Sequence, residues 1–118
     1  MHNPAAIARH YLAAWNERAP AARRAQVAQV FAADASYLDP LMQGAGIDGI
    51  DAMIGAAQQQ FQDHRFVLRG TPDGHNDVVR FGWTLHAPDG KAVAHGLDVA
   101  TVTLDGRLAD VTGFLDQA

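Results

Sequence analysis

The chain has 118 residues, a net charge of -4 and a pI near 5.8, with 48% hydrophobic and 19% charged residues. Those values fit one ordinary domain, 1–118, with a single core, and argue against nucleic-acid binding, because the tightest basic cluster is only Arg23-Arg24. Cysteine is absent, which excludes disulfides and thiolate sites, and neither a membrane-spanning apolar run nor a signal-peptide pattern is present, so the expectation is a soluble cytoplasmic protein.

Asn3 can cap a first helix and Pro4 suits its first position. Ile7, Tyr11 and Trp15 follow at i, i+4 and i+8, one apolar stripe. Residues 16–19 break the pattern. Pro20 can open a second helix with Val27, Val30 and Phe31 inward, Arg23, Arg24 and Gln29 outward, and Asp34 as its end. Ser36 to Asp39 read as a short strand, and Gly44 to Gly46 as a loop without the spacing of a dinucleotide fingerprint. A third helix starts near Ile47, with Ile50, Met53, Ile54, Ala57 and Phe61 at helical spacing and Gln58, Gln59, Gln60 and Gln62 as its wet face.

From His64 the period shifts towards two. Residues 64–71 form one strand and Pro72-Asp73-Gly74 a turn. Residues 77–87 form a long strand on which Val79, Phe81, Trp83 and Leu85 alternate. Pro88-Asp89-Gly90 is a hairpin turn, 92–104 a further strand, Asp105-Gly106 a turn, and 108–115 the last strand. Helices first and an antiparallel meander after them define an α+β fold.

The facing of Asp98 depends on hairpin register. A two-residue turn at Asp89-Gly90 sets Phe81 opposite Asp98, which then lies among aromatic rings. A three-residue turn with a glycine bulge sets Asp98 beside Arg80 instead, because a one-residue slip exchanges the faces. The first register is preferred because it avoids crowding Phe81 and Trp83 against Val93, Leu97 and Val99.

If Tyr11, Asp39 and Asp98 share a pocket, they form a kit for moving a proton alpha to a carbonyl. Desolvation keeps Asp98 neutral, so it donates a hydrogen bond. Tyr11 is a second donor, and together they stabilise an oxyanion. Asp39, nearer the mouth and fixed by Pro40, stays ionised and acts as the base.

Tyr11-Leu12-Ala13-Ala14-Trp15-Asn16, Phe31-Ala32-Ala33-Asp34-Ala35, Tyr37-Leu38-Asp39-Pro40 and Gly96-Leu97-Asp98 together resemble the nuclear transport factor 2-like superfamily, in its SnoaL-like and ketosteroid isomerase-like branches. The resemblance covers nearly the whole chain. It implies a cone-shaped, cystatin-like fold, with three N-terminal helices on a curved, mostly antiparallel sheet enclosing a pocket. It also implies that Tyr11 is the oxyanion donor, Asp39 the base and Asp98 the protonated donor of a cofactor-independent isomerase, lyase or cyclase. The neutral aspartic acid of ketosteroid isomerase is an established example of that pKa logic. Related epoxide hydrolases carry an arginine where this chain has Gly96.

The expected substrate is a small apolar carbonyl compound, walled by Trp15, Met53, Phe61, Phe81, Trp83 and Phe114. The alternative is a non-catalytic pocket for a hydrophobic ligand. Each key residue also has a plainer role available: Asp39 as a turn cap, Tyr11 as a core tyrosine, Asp98 as a partner of Arg80. His86 and His95 can share a sheet face, but no third ligand is evident and no metal or cofactor is expected. That outer face suits solvent or a homodimer contact.

Overall fold

Proline sets both early helix starts. In the computed structural model, which describes residues 2–116, α1 spans Pro4–Asn16 and α2 spans Pro20–Val30. The Asn3 side chain accepts from the Ala6 N–H at 3.1 Å, capping α1. Its buried stripe is Ala8, Tyr11, Leu12, Ala14 and Trp15.

The second helix ends at Val30, four residues before the expected Asp34, and β1 runs from Phe31 to Leu38. Long-range pairing overrides the helical pattern here. Phe31 is opposite Leu108 and residues 36–38 pair in parallel with the last strand, after an irregularity that absorbs residues 32–35. The expected glycine loop also contains a short strand, β2 (Gln43–Ala45), antiparallel to β1.

The third helix, α3, spans Gly46–Gln60 and buries Ile50, Met53, Ile54 and Ala57. Gln58 belongs to this buried face and not to the wet one. Its Nε2 donates to the carbonyls of Trp15 (2.9 Å) and Glu17 (2.7 Å), which satisfies the otherwise open C-terminal end of α1. Arg23 likewise faces inward. It bonds Asp51 at 2.8 Å and Gln58 Oε1 at 3.0 Å, tying α2 to α3.

Four strands complete the fold: β3 (Arg65–His75), β4 (Val78–His86), β5 (Ala92–Val102) and β6 (Leu108–Leu115). Pro72-Asp73-Gly74 is not a turn but part of β3, whose pairing with β4 resumes at Asp73–Arg80 after a shift. Gly70 takes a positive φ of 71° within that shift, and the chain reverses at Asn76, φ 51°. The sheet order is β2-β1-β6-β5-β4-β3, six strands in a curved, unclosed sheet. Only the β1–β6 pair is parallel among the described strands. The helices cover one face, α1 on β3 and β4, and α3 on β1 and β2. Among the described residues, no helix is long and apolar enough to cross a membrane.

The β4–β5 hairpin combines both expected geometries. The Gly90 N–H donates to Ala87 O and the Ala87 N–H to Lys91 O, both at 2.8 Å, with Gly90 at φ 87°. That is the three-residue turn. One residue further on, His86 pairs with Ala92 but Leu85 pairs with Ala94, so Val93 is an extra residue on β5. The bulge cancels the turn's offset and restores Phe81 opposite Asp98. Arg80 turns to the other face and pairs with Asp73 at 2.7 Å, leaving Asp98 free of it.

Candidate active site

Alternation along the strands and the α1 stripe converge on one cavity of about 110 Å³. Tyr11, Trp15, Tyr37, Asp39, Phe61, Phe66, Trp83 and Asp98 line it, with Leu12, Met42, Leu85 and other apolar side chains. Among the described residues, no Arg, Lys or His side chain lines it. The three polar residues expected to meet therefore do meet.

Asp98 is buried, only 2% exposed. Burial pushes its pKa up to about 6; the nearby Tyr11 hydroxyl and Trp83 indole oppose the rise, and the charge of Asp39 adds to it. Trp83 Nε1 donates to Asp98 Oδ1 at 3.3 Å. Gly113, opposite Asp98 on β6, leaves the space that Asp98, Asp39 and Tyr37 share.

Tyr11 is fully sequestered, and burial raises its phenol well above its usual range, assisted by the charge of Asp98. Its hydroxyl approaches Asp98 closely enough to influence both groups, yet completes no hydrogen bond of good geometry. It is a donor held in reserve. Phe81, 5.0 Å away between ring centroids, braces it edge-on.

Asp39 is half-buried at the end of β1. Its Oδ1 accepts the N–H groups of Leu41 (2.8 Å) and Met42 (2.9 Å), so it does cap the following turn. Its Oδ2 accepts the Tyr37 hydroxyl. An ionised carboxylate oxygen has two lone pairs, so Oδ2 keeps one for a ligand. Tyr37 is the site residue that sequence reasoning missed. Its signal was its position two residues before Asp39 on a strand, which puts both side chains on one face. Burial raises the Tyr37 phenol far above its usual range.

The expected wall divides. Trp15, Phe61 and Trp83 line the cavity. Met53 and Phe81 lie outside the lining, packed in the core. Phe114 is 52% exposed and pairs with Leu97, on the sheet face away from Asp98 and Gly113. Pairing of Asp98 with Gly113 fixes that parity and sends Phe114 outward. Phe66, between Trp15 (5.3 Å) and Trp83 (5.2 Å), belongs to the wall instead. His95 Nδ1 lies 2.8 Å from Thr84 Oγ1 and His86 Nδ1 3.0 Å from the Gly90 carbonyl, so the two histidines have separate partners. Among the described residues no group of three or more His, Cys, Asp or Glu side chains is placed to hold a metal.

Three helices packed on a six-stranded, curved, unclosed sheet are the arrangement of the nuclear transport factor 2-like fold, and here they enclose a mostly apolar cavity that two carboxyls face. The model of the SnoaL-like domain matches residues 8–111, and the chain belongs to that family. A crystal structure from Agrobacterium tumefaciens strain C58, named provisionally as an isomerase of the SnoaL-like family, is 53% identical, with a TM-score of 0.94 over 97% of each chain. A SnoaL-like protein of unknown function from Burkholderia thailandensis E264 is 16% identical, with a TM-score of 0.76 over 97% of this chain and 95% of its own. A protein with a ketosteroid isomerase-like fold from Catenulispora acidiphila, crystallised in complex with trimethylamine, is 16% identical, with a TM-score of 0.74 over 91% of this chain and 82% of its own. Among curated protein sequences there is no match.

Proposed function

We propose that this chain, as one domain, is a cofactor-independent enzyme that moves a proton alpha to the carbonyl of a small apolar substrate. The observation that carries this reading is the contrast between two carboxyls facing one cavity: Asp98 is buried and pushed up to about 6, while Asp39 sits near the mouth with both oxygens accepting. Acid and base roles separate where environments differ in this way. Asp39 takes the alpha proton through the free lone pair of Oδ2 and returns it to the gamma carbon of the dienolate, which regenerates the base. The Tyr11 hydroxyl donates to the carbonyl oxygen as it gains charge, and Asp98 donates to it in its neutral form. A bound apolar substrate excludes water and raises the pKa of Asp98 further, which shifts it towards that neutral form. The likeness to a provisionally named isomerase at 53% identity supports the same class of reaction.

Cyclohex-3-enone provides a test, since its conversion to the conjugated isomer requires such a transfer and is followed by ultraviolet absorbance. Asp39→Asn is expected to lower turnover by about 10²- to 10⁴-fold, the usual range for losing a general base. Binding of a phenolic enolate mimic is expected to be kept or tightened. Unchanged turnover in the variant would rule out Asp39 as the base.

One observation favours a second reading, a ligand-binding protein without chemistry. Three donors already engage Asp39, and the cavity walls are otherwise apolar. That protein would be stabilised thermally by apolar ligands while forming no product. Either role is compatible with a cytoplasmic homodimer formed through the outer sheet face, where Val67, Val93 and Phe114 are exposed. Light scattering at micromolar concentration tests the dimer, and a strict monomer contradicts it.

A further inference from the structure

Two donors at the cavity have no partner among the described residues: the Tyr11 hydroxyl and the Trp15 indole N–H. Both residues line the cavity. An unpaired buried donor costs about 1–3 kcal/mol, so two of them on one wall call for an acceptor. The hydroxyl can rotate and has Asp98 beside it. Trp15 has no such freedom. Its ring is held at centroid distances of 5.6 Å from Tyr37 and 5.3 Å from Phe66, and an indole nitrogen only donates. Trp15 follows Tyr11 by one helical turn, so both emerge on one face of α1. The indole comes near enough to the Tyr11 phenol to oppose part of the rise in its pKa. The indole N–H therefore lies beside the Tyr11 hydroxyl, short of a hydrogen bond of good geometry, so an acceptor that engages one is near the other.

The other cavity tryptophan differs. Trp83 spends its N–H on Asp98. One indole serves the protein's own acid, and the other completes no hydrogen bond of good geometry among the described residues.

We infer that Trp15 donates its indole N–H to the oxygen of the bound ligand, alongside the Tyr11 hydroxyl. This rests on reading the cavity as a carbonyl site, but it needs no turnover. The ligand class narrows accordingly to an uncharged molecule with an accessible carbonyl or phenolic oxygen on a compact apolar body. Carboxylate ligands are disfavoured, since among the described residues the cavity presents two carboxyls and no cationic side chain.

The experiment compares 4-chlorophenol with 1,4-dichlorobenzene, which has chlorine where the phenol has its hydroxyl. Wild-type protein is expected to bind the phenol more tightly. Trp15→Phe keeps an aromatic ring and removes the donor, so phenol affinity is expected to fall about tenfold while that of the dichlorobenzene stays within about twofold. Equal losses for both probes would mean that the ring matters and its N–H does not, which overturns the inference, as does no loss for the phenol. A wild-type protein that does not distinguish the probes removes the carbonyl reading and this inference with it. Should the variant fail to fold, ¹⁵N-indole NMR of the wild type decides. The Trp15 N–H resonance is expected to move downfield with 4-chlorophenol and not with the dichlorobenzene; an unmoved resonance overturns the inference.

Discussion

Trp83 occupies the space that a side chain on Gly96 would need: a Cβ there would lie 2.2 Å from the indole Cζ2 and 2.8 Å from the Phe114 carbonyl. The two residues face each other across β4 and β5. Gly96 is thus the reason that Trp83 can reach Asp98, two residues along the same strand. Gly96→Ala is expected to destabilise the fold by about 1–3 kcal/mol, the usual cost of overpacking, and to pull Nε1 away from the acid. Denaturant unfolding measures the first effect and a shift in tryptophan fluorescence the second.

The Trp83–Asp98 bond favours the ionised carboxyl, because the indole can only donate. Trp83→Phe keeps the apolar surroundings and deletes the donor. The Asp98 pKa is then expected to rise above its present value of about 6. Carboxyl ¹³C NMR across the titration reads this directly, and a fall would show that the ring's bulk, rather than its N–H, sets the acid's environment.

Burial of Asp98 also makes stability depend on pH. Its pKa rises from an ordinary 3.8 to about 6 on folding, so the native state holds the proton more tightly. The associated stability is complete below pH 3.8 and is lost as the pH climbs through about 6, a change of about 3 kcal/mol at 1.36 kcal/mol per pKa unit. Asp98→Asn removes the titration. Relative to wild type, the variant is expected to gain about that much stability between pH 4 and pH 8. Parallel urea melts at the two pH values give the comparison, and pH-independent differences would place Asp98 in a wetter environment.

Local pattern carried much of this architecture. The Asn3-Pro4 and Pro20 helix starts, the α1 stripe and the strand at 108–115 follow from capping, proline geometry and periodicity, all properties of neighbouring residues. What failed depended on distant partners. Phe31 to Asp34 have a helical look, but pairing of Phe31 and of residues 36–38 with β6 draws that segment into the sheet. Gln58 reads as a wet glutamine until the open end of α1 lies against it. The site shows the same division. Asp98 reaches the cavity because a bulge at Val93 offsets a turn that alone would have turned it outward. Pairing with β5 places Phe114 on the outer face, and a strand's own sequence does not reveal that parity.

Glycines on this chain divide sharply by what surrounds them, and that gives a paired prediction. A Cβ on Gly113 would come within 2.8 Å of Asp98 Oδ1, 3.1 Å of Asp39 Cβ and 3.4 Å of the Tyr37 hydroxyl. Side-chain ends can yield, but Asp39 Cβ is fixed to β1 by the bonds around it. Gly113→Ala should therefore separate the two acids, cost about 1–3 kcal/mol of stability and weaken phenol binding. Gly49, inside α3, has nothing within 4 Å of its missing Cβ. Alanine there is expected to stabilise the helix by up to about 1 kcal/mol and to leave phenol affinity unchanged. Thermal melts and phenol titrations of the two variants side by side test whether the space at Gly113 serves the cavity. Equal behaviour in both assays would make Gly113 an ordinary strand glycine and detach it from the site.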